Sequence, residues 1–151
     1  MTTNEVLTKQ NFLSKLVLKD NENELSKNLK VKIMKMRIEY AKVRKAFDED
    51  LKEFLDELLS DRFKELRDKP ENERTEEEKK EFEQLIAKVN SDYEIYIRQR
   101  SQDEVTLNTC IFTEEEFNEI LEVNSDIEAE INGVKMSAAD ILEAVYVLFV
   151  K

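Results

Sequence analysis

From Ser26 to Lys69 the sequence runs for more than forty residues without a glycine or a proline, and it is rich in Leu, Lys, Glu, Met and Arg. Few folds accept such a stretch. Its residues lose little side-chain freedom in a helix, and nothing in it breaks one. The composition and spacing predict a single helix over 26–69, about 60 Å long at ~1.5 Å per residue. Ser26 stands where an N-cap would be.

The apolar positions of this stretch form two rows. Leu29, Ile33, Met36, Tyr40, Val43 and Phe47 alternate steps of four and three, a seam of the coiled-coil kind. The step from Phe47 to Leu51 repeats the four before Phe54 and Leu58 resume the pattern, a stutter that unwinds a supercoil locally. Val31, Met34, Ile38 and Ala41 form the other row, roughly half a turn away. A helix apolar on two sides calls for a cover on each.

The next segment supplies one cover. Pro70, followed by Glu71 to Arg74, ends the first helix because proline lacks the backbone donor. Thr75 and Glu78 read as a capping box, with Glu76 and Glu77 favourable at a helix N-terminus. Phe82, Ile86, Val89, Tyr93 and Tyr96 carry the stripe, Leu85 and Ile97 widen it, and the helix ends near Arg100. The short connection predicts an antiparallel hairpin with Leu58 near Leu85 and Ile86, and Phe47 near Tyr96. Residues 27–42 then lie beyond the second helix.

On either side of the hairpin the pattern changes. Phe12, Leu13, Leu16 and Val17 suit a short helix within residues 4–19, whereas Phe12, Ser14, Leu16 and Leu18 alternate as a strand does. In either form this segment is the natural cover for one side of 27–42, joined to it by a polar linker from Asp20 to Glu24. Val105 to Phe112 alternates as a strand. Thr113 and Glu116 form another capping box, opening a helix with Phe117, Ile120 and Leu121 inward. Ile127, Ala129 and Ile131 lead to Asn132-Gly133, the favoured dipeptide of a two-residue hairpin turn, and Val134 and Met136 continue the return strand. Ser137 and Asp140 cap a last helix through Ile141, Leu142, Val145 and Leu148, although Val145 to Val150 is also β-prone. The fold expected is mainly α (α+β): a long antiparallel helical hairpin with a small C-terminal β-hairpin/helix cap. It is expected as one domain over 1–151, made of an N-terminal segment 1–25, the hairpin 26–101 and the cap 102–151.

Residue usage narrows the chemistry. The chain has no histidine, one cysteine and one glycine. These counts remove the commonest general base, a cysteine-based metal site and the glycine-rich phosphate loops. Cys110 reads as a small packing residue. Thirty-five acids make carboxylate clusters commonplace, so Asp48 to Asp50 or Glu114 to Glu116 carry no signal of catalysis. The expectation is a protein without enzymatic activity, catalytic residues, cofactor, metal or small-molecule substrate. No run is long enough for a bilayer and the N-terminus is polar, so no membrane association is expected. A lone cysteine suits a reducing, cytoplasmic setting.

The net charge of −11 conceals an asymmetry. Residues 27–45 hold eight Lys or Arg against Glu39 alone. This is either a solvated face or a docking surface for an acidic protein or a nucleic acid. Its basic residues alternate with aliphatic side chains and not with stacking aromatics, which favours a protein. The candidate partner-binding residues are Val31, Met34, Ile38 and Ala41, with Lys30, Lys35, Arg37 and Lys42. The partner is a protein or another copy of the chain; nucleic acid is the alternative.

The order of segments, "SKNLKVKI" opening a long charged hairpin, then "DEVTLNTCIFTEEEF" and a closing "INGVKMSAADILEAV", resembles small accessory proteins of tailed bacteriophages. The resemblance is one of organisation and implies a phage-encoded, non-enzymatic protein in the bacterial cytoplasm or the virion. It would be a structural or assembly component, or a modulator of host factors or host defence. No functional residue is implied by it.

Overall fold

Four helices of this protein begin where a hydroxyl side chain precedes a carboxylate by three residues. Thr2 with Glu5, Thr75 with Glu78, Thr113 with Glu116 and Ser137 with Asp140 each form a complete capping box. Each box satisfies backbone N–H groups that the first helical turn leaves without partners. The computed structural model describes residues 1–107 and 111–150. Its elements in order are α1 (Thr3–Leu13), α2 (Lys27–Leu58), α3 (Asp61–Asp68), a 3-10 turn (Glu71–Glu73), α4 (Glu76–Ser101), α5 (Glu114–Val123), β1 (Ala129–Ile131), β2 (Val134–Met136) and α6 (Ala138–Phe149). The fold is mainly α with a small antiparallel β-hairpin near its C-terminus, as expected.

The chain divides into two compact units, one of Met1–Arg44 with the chain from Glu104 onward, the other of Lys45–Asp103. α2 supplies residues to both.

In the first unit, residues 3–13 are a helix, which resolves the helix-or-strand ambiguity. Val6 and Leu13 of α1 enter a core with Leu16 and Leu25. Between these leucines the chain turns tightly, with Asp20 Oδ1 accepting from the Glu22 N–H (2.8 Å) and from the Asn23 N–H. The first row of α2, namely Leu29, Ile33, Met36 and Tyr40, is buried in the same core. Phe117, Ile120 and Val123 of α5 close on it, as do Ile141, Leu142, Val145 and Phe149 of α6. α6 thus stays helical through its β-prone end because one side of it is packed. The cover of residues 27–42 therefore comes from both ends of the chain. At the start of α2 the Ser26 N–H donates to Glu119 of α5 (2.9 Å). This places a carboxylate at the positive end of the helix dipole.

The β-hairpin pairs Ala129 with Met136 and Ile131 with Val134. Its turn residues Asn132 and Gly133 have φ of 52° and 78°. Those are the left-handed pair that a type I′ turn requires. The strand expected over 105–112 does not form a ladder among the described residues. Glu104 bridges Thr2 and Phe112 bridges Val150, each singly, because the neighbours there are helix ends and not strands. Asn108 to Cys110, including the expected packing role of Cys110, lie outside the described residues. Leu121, expected inside, is exposed, and Asn124 at the end of α5 is buried in its stead.

The second unit corrects the single long helix. α2 stops at Leu58, and Ser60 starts α3 by accepting from the Phe63 N–H (3.1 Å). Serine competes with the helix backbone for hydrogen bonds, and Ser60-Asp61 is itself a start signal. The break also shifts the hairpin register. Close to the turn Phe63 meets Phe82 (5.3 Å between centroids) and Arg62 grips Glu81 through two bonds of 2.9 and 2.7 Å. Beyond the break it is Phe54, and not Phe47, that stacks on Tyr96, at 3.8 Å. Phe54 is seven residues from Phe47, so α2 meets α4 about two turns from the expected place; the non-helical residues at the break supply part of that offset, because each advances the chain further than a helical one. Arg100 pairs with Asp50 in the same register. Leu66 on α3 is the one residue of 45–103 that is buried; Leu58 is half-buried.

Candidate protein-interaction surface

Within residues 27–44 the two rows of α2 have opposite fates. At ~100° per residue Val31, Met34, Ile38 and Ala41 lie diametrically across the helix from the buried row. Val31 is 42% exposed, Met34 52% and Ile38 56%, and Ala41 is exposed beside them. The described chain lays nothing over this row. Completing the burial of its three large side chains would be worth roughly 1 kcal/mol each, about half of a full transfer.

The basic residues sort into two groups. Arg37 is turned inward: its Nε and Nη2 donate to the Leu13 carbonyl (3.1 and 2.9 Å), and Nη2 also donates to Leu16 O. The Leu13 carbonyl ends α1 and Leu16 follows just beyond it, so the guanidinium satisfies acceptors the helix cannot. Burial lowers its pKa, yet arginine stays charged. Arg44 reaches the same helix one turn further back, donating to Gln10 and to Asn11 Oδ1 (2.9 Å). Lys30 pairs with Glu24. Lys32 pairs with Glu116 of α5 at 2.6 Å and lies over the Phe112 ring. Burial pushes the Glu116 carboxyl up, but Lys32 and the Thr113 N–H outweigh it and hold it below the usual range.

Lys35 and Lys42 are exposed along one edge of the apolar row, and Lys27, not singled out from the sequence, is exposed in line with the row one turn before Val31. Of the eight residues expected to form the surface, the structure brings Val31, Met34, Ile38, Ala41, Lys35 and Lys42 onto one face. It assigns Arg37 and Lys30 to holding the unit together. Arg37 turns inward to carbonyls outside α2 and Lys30 pairs with a carboxylate of the linker before it, so spacing along one helix reveals neither. The result is an apolar strip flanked by ammonium groups, able to pack against an apolar surface with an acidic margin.

Among the described residues no group of three or more His, Cys, Asp or Glu is placed to hold a metal ion. None of the described helices is long and apolar enough to cross a membrane. No protein-family model, no curated protein and no solved structure matches the chain.

Proposed function

We propose that this protein works by binding another protein chain on the exposed face of α2, as an assembly or interaction component without chemistry of its own. The observation that carries this reading is the exposed row of Val31, Met34 and Ile38 directly opposite a fully buried row of the same helix. A surface helix normally pairs a polar outer side with its buried one, and a strip of large apolar side chains in that place marks an interaction site. The lysines give the partner's character. Two such faces pressed together would set ammonium groups against each other, so the complementary surface is apolar with acidic flanks. The resemblance of the segment order to accessory proteins of tailed phages supports an assembly or host-interaction role in a bacterial cell or a virion.

The test uses a short helical peptide with leucines at i, i+3, i+4 and i+7 and glutamates beside them, titrated into isotope-labelled protein. Shifts confined to Val31, Met34, Ile38 and their neighbours are the expected result. Met34→Glu with Ile38→Glu should abolish them and leave the circular dichroism unchanged. Absence of shifts on this face, or global unfolding of the double variant, would overturn the reading.

A further inference from the structure

The first unit carries a second surface whose chemistry mirrors that of the α2 face. α1 and α6 pack side by side, and along their outer seam runs a shallow groove of about 440 Å³ lined by Phe12, Met136, Ala144, Val147 and Leu148. Past Thr8 and Leu148 it continues into a further hollow of about 300 Å³ toward Met1. Val147 is 74% exposed, a large apolar side chain on the side of α6 that the core leaves open. Asp140 and Glu143 line the groove on the α6 side and Glu5 on the α1 side. Lys9, the basic lining residue, is drawn over the Phe149 ring at 5.4 Å. The groove is apolar with an acidic margin on the α6 side, at Asp140 and Glu143, while on the α1 side Glu5 caps its own helix and is offset by Lys9.

We infer that this groove receives the α2 face of a second copy, so that the chain associates head to tail. This rests on the reading of the α2 face as a docking surface and names its occupant. Apolar side chains meet apolar side chains, and the lysine edge of the strip, with Lys35 and Lys42, lies along the acidic side of the groove, with Asp140 and Glu143. The lengths agree. The stretch of α2 from Val31 to Lys42 and the whole of α1 (Thr3–Leu13) each measure about 16 Å at ~1.5 Å per residue. A copy cannot fill its own groove, because Arg37 and Arg44 fix α2 against α1 with the exposed row facing away from the core that both helices share. Each copy therefore offers one half of the contact at each of two places. Such a heterologous interface propagates into a ring or an open chain instead of stopping at a symmetric dimer.

Sedimentation velocity on the full chain tests this. The wild type should sediment faster as concentration rises to roughly millimolar, where even weak contacts are populated. Met34→Glu with Ile38→Glu removes the face, and Glu143→Lys with Val147→Lys removes the groove; these positions are exposed, so both variants should fold. Each variant alone should associate at least ~10-fold more weakly than wild type. Mixed in equal amounts they should form a one-to-one heterodimer and nothing larger, since one retains a groove and the other a face. Lys35→Glu with Lys42→Glu serves as a second face variant in the same mixture, with the same result expected. A wild type that stays monomeric throughout overturns the inference, as does a groove variant that self-associates like wild type or a mixture without heterodimer. In any of these cases, binding of the acidic peptide at Met34 and Ile38 would leave the α2 reading standing; loss of peptide binding as well would remove both.

Discussion

Asn124 shows what a single polar side chain does in this core. It is fully buried, its Oδ1 accepts from the Val17 N–H (2.7 Å), and its Nδ2 donates to the carbonyls of Val17 (3.1 Å) and Ile120 (2.8 Å). One amide thereby closes the end of α5 and ties the Leu16 to Leu18 segment to it. Both groups of the partly exposed Val17 backbone bond to it, and leaving such groups short of a partner inside the fold costs more than a hydrogen bond gains. Asn124→Ala should therefore lower stability by on the order of 1–3 kcal/mol, read as a lower urea midpoint at unchanged slope. Asn124→Asp should cost more, since a carboxylate cannot donate to two carbonyls and its charge would be buried. An Ala variant as stable as wild type would show that water replaces the amide without penalty. Arg37 and Lys32 act on the same scale. Each ties α2 to a segment distant in sequence, and spacing alone does not distinguish either from a residue meant for a partner.

At the scale of elements, what can be read from sequence is whatever is decided within four residues. The capping boxes at Thr75, Thr113 and Ser137 and the Asn132-Gly133 turn place their elements because the interacting groups are local. The two rows of α2 are legible for the same reason, since helical periodicity fixes which side chains share a face. Ser60 is local too, but the strong propensity of its flanks masks it, and with it goes the hairpin register. Nothing local marks the α1–α6 groove, whose sides lie at opposite ends of the chain. The Ser60 break also changes which leucine matters. The sequence points to Leu58 at the centre of the hairpin, whereas the structure buries Leu66 completely and leaves Leu58 half-buried. Leu66→Ala should cost about 2–5 kcal/mol and Leu58→Ala clearly less. Chemical denaturation followed by a probe within residues 45–103 measures both. Equal losses, or a larger one at Leu58, would mean that the hairpin packs in the register of a continuous helix.

For the whole molecule the question is whether its basic stretch serves nucleic acid. Eight cations in residues 27–45 look sufficient as a count, but the fold has already engaged most of them. Arg37 and Arg44 are bound to α1, Lys30 and Lys32 are paired with Glu24 and Glu116, and Lys45 lies 3.7 Å from Glu49. Lys27, Lys35 and Lys42 remain directed outward on one side of a molecule with a net charge of −11. Affinity for a phosphate backbone grows with the number of counterions released, and three contacts limit the salt slope to about −3 for a duplex. At physiological salt the overall negative charge outweighs so small a patch. Single- and double-stranded oligonucleotides should therefore show no shift in a gel assay at that ionic strength, and any binding at low salt should vanish by moderate salt. Protein docking on the same face should respond differently. Raising the salt weakens its charged margin but leaves the packing of Val31, Met34 and Ile38, so association should decline only a few-fold over the same range. Micromolar oligonucleotide binding at physiological salt, lost on Lys35→Glu with Lys42→Glu, would reverse the order of the two readings and make the α2 face a nucleic-acid contact.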